Sequence, residues 1–283
     1  MITFPDFSEE QKLWAKGYNL VIGVDEVGRG CFAGPVVAGA VAFPVCHPDQ
    51  GDSRVEGSHS TGFGLREIPR LSRHGGIARN DNVVIIDDSK RLKPQEREKS
   101  AKWIKENCLA FGIGEISVSI INKVGIGRAT AIAMRKAIAT VISNIKARNP
   151  KQIQNSNNQN PKHFEFRYSN FGFTKTFVLS DAFYIPYIKG ITKMRQKPIV
   201  KGDHKSISIA AASIVAKVYR DALMQKLSEQ YIAYGWGRNK GYGNRDHQEA
   251  IMKNGITKLH RIAFVETFLA PPGDSLQTLQ AVR

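Results

Sequence analysis

Cysteine is scarce in this chain. The three present, Cys31, Cys46 and Cys108, are odd in number and form no C-x-x-C pair. That argues against a disulfide framework and against a cysteine-built zinc site. The seven histidines lie far apart, so no H-x-x-x-H zinc helix exists. Long apolar runs are missing too, and nothing approaches the roughly 18 residues of a membrane-spanning helix. Residues 1–19 mix Asp6, Glu9, Glu10, Lys12 and Lys16 with isolated apolar side chains, where a secretory signal would show an apolar run. The expectation is a cytoplasmic protein with no membrane attachment. Acidic residues are few beside basic ones, 25 Asp and Glu against 41 Lys and Arg, a net charge of +16 on 283 residues. A polyanionic partner fits that balance, and nucleic acid fits better than a membrane because no basic amphipathic helix stands apart. Without cysteine or histidine clusters, any metal would be held mainly by carboxylates, which favours Mg²⁺ or Mn²⁺.

What is present reads as alternating strands and helices. Residues 20–24 and 35–43 are short apolar runs separated by Gly28, Gly30 and Gly34, the pattern of a strand, a tight turn and a second strand. Residues 83–86 read as a third strand ending in Asp87-Asp88-Ser89-Lys90, and Pro94 suits the first turn of a helix over 94–107. Residues 111–119 and 176–179 read as further strands. Apolar residues recur every three or four positions over 126–148, and again over 207–231 in the longest helix. A glycine-rich basic loop (236–244) and a short helix (247–254) complete the tail. Residues 47–82, rich in Gly, Ser, Arg and His, and residues 149–170, with a polar Gln/Asn tract, look like surface insertions. There is no internal repeat. The order suggests an α/β fold with a partly antiparallel sheet.

Several carboxylates fall at strand ends. Asp25-Glu26 closes the first strand, and for both to reach one ion the strand must bend or end there, since strand neighbours point to opposite faces. Two ordinary surface acids are the competing explanation. Asp181 ends another buried strand. Asp203 precedes the longest helix, where a helix cap would account for it equally well. Asp221 fits an ion pair with Lys217 on the helix surface, and Asp87 and Asp88 fit structural turns. Carboxylates spread over strand ends are compatible with a two-cation phosphodiester site.

The residues become specific when taken in order. Gly23-Val24-Asp25-Glu26-Val27-Gly28-Arg29-Gly30 with Ala33-Gly34-Pro35-Val36-Val37 resembles the first signature of the ribonuclease HII (type 2 ribonuclease H) family. Asp88-Ser89-Lys90-Arg91-Leu92, then Lys201-Gly202-Asp203 with 209–221, then Gly241-Tyr242 with His247, His260, Arg261 and Phe264, resemble its later blocks. The resemblance covers most of the chain outside the insertions. It implies an RNase H-like mixed five-stranded sheet flanked by helices, as a catalytic domain over 1–233, with a helical C-terminal extension over 234–283 that contacts substrate.

By the resemblance, the catalytic and metal-binding carboxylates are Asp25, Glu26, Asp181 and Asp203, holding two Mg²⁺ or Mn²⁺ ions. It also implies that Gly28, Arg29 and Gly30, with Tyr242, recognise the ribose 2′-hydroxyl at an RNA–DNA junction. Lys90, Lys201 and Lys205 would contact phosphate, and Ser213 and Lys217 would reach the nucleic acid. The implied activity is a monomeric endonuclease on RNA–DNA hybrids and on DNA duplexes carrying ribonucleotides, cutting 5′ to the ribonucleotide and leaving 5′-phosphate and 3′-hydroxyl ends. Such an enzyme would remove embedded ribonucleotides and primer RNA. Two departures stand out: Cys31 replaces the usual proline, and Ser180-Asp181-Ala182 replaces the commoner aspartate–glycine step. The basic residues of 47–82 (Arg54, Arg66, Arg70, Arg73, His74 and Arg79) would extend the footprint. A DNA-cutting nuclease of the same fold and a non-catalytic hybrid binder are the rival readings.

Overall fold

A computed structural model describes residues 4–45, 76–79, 82–147 and 175–269. The central sheet has five strands in the order β5-β2-β1-β6-β7. They are β1 (Leu20–Val27), β2 (Val36–Ala42), β5 (Ala110–Ile116), β6 (Thr176–Asp181) and β7 (Gln196–Ile199). The β1–β2 and β2–β5 pairs are antiparallel, whereas β1–β6 and β6–β7 are parallel. The mixed five-stranded sheet is thus the expected one, with two corrections to its membership. The run at 83–86 falls in β4 (Asn82–Ile85), which pairs with β3 (Gly76–Arg79) in a separate two-stranded sheet. Part of the segment read as an insertion is therefore a strand, while 47–75 and 149–170 lie outside the described residues. The fifth strand is β7, which apolar periodicity does not reveal. It is four residues long, contains Pro198, and sits at the sheet edge where a proline costs no ladder bond.

Helices cover both faces. The face bearing Val21, Val41 and Leu179 packs on α5 (Ile207–Gln230), α2 (Pro94–Asn107) and α1 (Ser8–Ala15). The opposite face, with Ile22, Ala40 and Val178, packs on α4 (Ile126–Ala147), which follows α3 (Val118–Val124). A smaller cluster joins Ala33 and Met224 to Tyr234, Trp236, Ile251 and Val265. It gathers α6 (Trp236–Asn239), α7 (Arg245–Asn254) and α8 (Ile262–Leu269) at one end of α5. Among the described residues, no helix is long and apolar enough to cross a membrane.

The seating of α5 fixes the site. Its first ten residues, Ile207 to Ala216, are all buried, and most are small. They lie so close to the sheet that a Cβ on Gly23 would stand 2.1 Å from the Ser208 carbonyl carbon, and one on Gly39 2.2 Å from the Ala212 oxygen. The start of α5 is clamped from the N-terminal segment. Glu10 is buried, accepts from the Ser206 hydroxyl at 2.6 Å and from the Ser208 amide at 2.9 Å, and so places a carboxyl at a helix N-terminus. Substituting Gly23→Ala should therefore lower stability by about 2 kcal/mol or more, the cost of overpacking against backbone that cannot yield. Denaturant unfolding measures it, and an unchanged midpoint would show that α5 can retreat from the sheet.

Candidate active site

The parallel part of the sheet gathers the carboxylates. Because β1, β6 and β7 run in the same direction, Asp25-Glu26, Asp181 and the turn after β7 that holds Asp203 all emerge at one edge. Strand β1 does not end at the acid pair. It stays paired with β2 as far as Val27, but its pairing with β6 stops at Val24. That one-sided release replaces the expected bend and leaves both carboxylates facing a cleft of about 650 Å³. Asp25, Glu26, Asp181 and Asp203 all line it. Asp203 is not a helix cap, because Ser206 caps α5 by accepting from the Ile209 amide. Asp181 Oδ1 accepts from the Gly202 amide at 2.8 Å, which ties the β6 end to the Asp203 turn. Ala182 follows with φ +61°. This is a left-handed conformation that costs a non-glycine residue roughly 1–2 kcal/mol and that glycine adopts freely.

These acids are poorly compensated. Burial first, then the Glu26 charge, pushes the Asp25 carboxyl well above the usual range. Burial also raises Glu26 and Asp203, with Asp88 and Asp181 adding to the effect on Asp203. Arg29 lies 3.6 Å from Glu26 Oε1, while Glu26 Oε2 is buried with no hydrogen-bond partner among the described residues. An all-oxygen donor set with an orphaned buried carboxylate oxygen fits a hard divalent cation. A tighter group lies beside it: ligand atoms of Asp88, Asp203 and His204 all fall within 4.8 Å of one another. Neither Asp88 nor His204 stands out from sequence as part of the site. The position of Asp88 at the head of Asp88-Ser89-Lys90, and of His204 directly after Asp203, are the signals that could have found them.

The rest of the cleft is formed by Val27, Gly28, Arg29, Gly30, Ser89, Lys90, Arg97, Ser213, Lys217 and Tyr242. Ser213 meets Ser89 hydroxyl to hydroxyl at 3.0 Å. Arg97 donates to the Ser89 and Leu92 carbonyls and to Asp221, and so fastens the Lys90 turn to α5. Asp221 also accepts from Lys217 at 2.8 Å, so its ion pair is the expected one, with Arg97 as a further partner. Lys201 and Lys205 are exposed and do not line the cleft. Their positions on the turn around Asp203 turn them outward.

A family model described as Ribonuclease HII matches residues 82–267. A protein named Ribonuclease HII from Caldanaerobacter subterraneus subsp. tengcongensis is 35% identical over 260 residues, which cover 92% of this chain and 80% of that protein. Another of the same name, from Herpetosiphon aurantiacus, is 34% identical, covering 90% of this chain and 93% of its own. The chain belongs to the ribonuclease HII family. Membership makes it an enzyme of the ribonuclease H class. Its fold is similar to that of the ribonuclease H2 from Pyrococcus horikoshii OT3, with TM-score 0.50 and 20% identity over 89% of this chain and 100% of that one. It is also similar to Bst-RNase HIII, solved in complex with Mn²⁺, with TM-score 0.53 and 17% identity over 89% and 68%.

In this ribonuclease HII-family chain the Gly28–Gly34 turn and the Tyr242 loop are held from below. Arg220 donates to the carbonyls of Ala33, Pro35 and Lys240, and Arg261 to those of Arg29 and Gly34. Gly28, at φ +84°, leaves room for Arg220, whose Nε would lie 2.0 Å from a Cβ there. Cys31 is buried and pairs with Tyr242 through an isolated β-bridge, so the residue replacing proline joins the two loops. Beneath Tyr242, His247 Nδ1 lies 2.9 Å from the Tyr242 carbonyl, and His247 Nε2 accepts from Trp236 at 3.0 Å. His260 Nδ1 accepts from the Thr257 amide, which leaves its Nε2–H to donate to His247 Nε2 at 3.2 Å. The pattern requires both rings neutral. Burial lowers both, and His247 helps take His260 down to about 4. The unfolded chain therefore binds more protons than the folded one between about 6.5 and about 4, and stability falls as pH drops through that window. Stability measured across it should show a shallower acid limb in His260→Gln than in the parent. Parallel curves would mean that the pair is not held neutral.

Proposed function

We propose that the protein is a divalent-cation-dependent endonuclease that hydrolyses the RNA strand of RNA–DNA hybrids and cuts 5′ to ribonucleotides embedded in duplex DNA, leaving 5′-phosphate and 3′-hydroxyl ends. One observation carries this reading: four converging carboxylates and the Gly28-Arg29-Gly30 turn with Tyr242 share one cleft. Asp25, Glu26, Asp181 and Asp203 would hold Mg²⁺ or Mn²⁺. Two such ions supply charge neutralisation at the attacking water and at the leaving oxygen of a phosphodiester. The protein's own groups do the rest. Lys90 and Lys217 give the cleft positive charge for the phosphate. A Cβ added to Gly30 would meet nothing within 4 Å, so internal packing does not account for its being glycine. Its bare backbone suits close approach by a ribose, whose 2′-hydroxyl distinguishes RNA from DNA. Tyr242 is 40% exposed, with the Lys217 ammonium 6.0 Å from its ring centre, placed to lie against the adjoining sugar.

In this reading residues 1–233 form the catalytic domain, and residues 234–283 are an extension that brings Tyr242 to the substrate. The enzyme of this reading is a monomer. Removal of embedded ribonucleotides and of primer RNA is the cellular role that follows.

A duplex with one embedded ribonucleotide, compared with the same duplex all in DNA, tests the proposal in Mg²⁺ and in Mn²⁺. Cleavage confined to the 5′ side of the ribonucleotide is expected. Equal cutting of the DNA control favours a DNA nuclease, and binding without cutting favours a non-catalytic binder. Asp25→Asn should reduce cleavage by at least about 100-fold, since a preorganised electrostatic group is worth that much. The same variant should unfold at higher denaturant without divalent ions, because it removes a buried charge that is costly when unpaired. Gly30→Ala should leave the unfolding midpoint unchanged while lowering kcat/KM. A midpoint loss matching the activity loss would mean that Gly30 serves the fold instead.

A further inference from the structure

The connection from β6 to β7, residues 182–195, stands outside the cleft and has a regular construction. Ile185, Ile188 and Ile191 are buried in the sheet face that α4 covers. Around and between them the chain turns outward Tyr184 (44% exposed), Tyr187 (92%), Lys189, Lys193 and Met194 (86%). The segment is tied down, not loose. Gln196, buried, accepts from the Ile185 amide at 3.0 Å; Arg135 of α4 donates to the Pro186 carbonyl at 2.9 Å; Arg195 donates to the Gly190 carbonyl at 2.7 Å. Tyr187 is held at φ +58°, a conformation that a tyrosine adopts at a cost, yet its ring stands in solvent. Lys193 sits over the Tyr184 ring at 4.9 Å. No acid occurs between Asp181 and Asp203, while Lys189, Lys193, Arg195, Lys197 and Lys201 do. Lys197 pairs with Glu9, whereas Lys189 and Lys193 form no ion pair among the described residues.

The segment adjoins the cleft: it follows directly on Asp181, and Phe183 packs under the Arg29 guanidinium at 5.1 Å.

We infer that this rigid aromatic and basic ridge carries the substrate duplex beyond the nucleotides held in the cleft, with Lys189 and Lys193 on phosphates and Tyr187 against the sugar–phosphate edge. Lysines on phosphates position a duplex without reading its sequence, and an aromatic face adds sequence-tolerant contact. The inference rests on the nuclease reading above, since the ridge is given the same substrate.

The test uses the full chain and two probes, a short ribonucleotide-containing duplex that spans only the cleft and one lengthened on both sides. Binding without divalent ions is measured over a salt series, and cleavage with them. For Lys189→Gln/Lys193→Gln/Tyr187→Ala, all on exposed side chains, binding of the long duplex should weaken about tenfold. The slope of log K against log salt should fall by about two, close to one for each lysine removed. The kcat/KM advantage of the long duplex over the short one should disappear. Lys193→Glu alone should move in the same direction. An unchanged length preference and salt slope would overturn the inference and leave the ridge for another macromolecule, such as a protein. Failure of the parent chain to cut either duplex would instead sink the nuclease reading, while loss of binding in the variant would still stand for the ridge.

Discussion

The burial of several carboxylates in one cleft is the constraint on which the rest of this structure depends. Asp25, Glu26, Asp181 and Asp203 line one cleft at the C-terminal side of the parallel ladder, and burial penalises the charge of Asp25, Glu26 and Asp203. A protein gains no stability from such a cluster. It persists because the surrounding packing over-determines it. Helix α5 cannot move away without opening the Gly23 and Gly39 contacts, and Gly202 is fastened to Asp181 by a backbone amide. The electrostatic cost held in the cleft is the same feature that makes it fit for cations.

A second layer holds the groups that would face the substrate. Two buried arginines, Arg220 and Arg261, take five carbonyls from the Gly28–Pro35 turn and the Tyr242 loop. The neutral His247–His260 pair completes that support. Without it, buried carbonyls in two irregular loops would lack partners. The C-terminal helices thus serve the site indirectly, by fixing the height of Tyr242 above the cleft. Arg97 does the same for the Lys90 turn from the side of α2.

Much of the fold was legible because its periodicities are strong. The apolar stripe of α4 and the strands β1, β2 and β6 lie where alternation and spacing put them, whereas the strand expected over 111–119 ends at Ile116, because Val118 already opens α3. What escaped did so for identifiable reasons. β7 is too short and carries Pro198. The run at 83–86 has the composition of a core strand, yet it finds its partner in the hairpin with β3. Glu10 looks like one more surface acid among charged neighbours, and only the folded chain shows it capping α5.

Contiguous blocks of sequence were enough for the family, the strand-end carboxylates and the Gly28-Arg29-Gly30 turn, because the order of such blocks survives without coordinates. Composition alone settled the overall charge and argued against cysteine-based chemistry. Which isolated residues share the cleft was decided by tertiary packing. Asp88, His204 and Arg97 enter it or its border, and Lys201 and Lys205 do not, although all but Arg97 lie in or beside recognisable blocks. The physical reason is that direction is not local. A side chain's facing depends on the packing of α5 against two glycines and on where a parallel ladder stops. Both are contacts between segments far apart in the chain, and no single block encodes them.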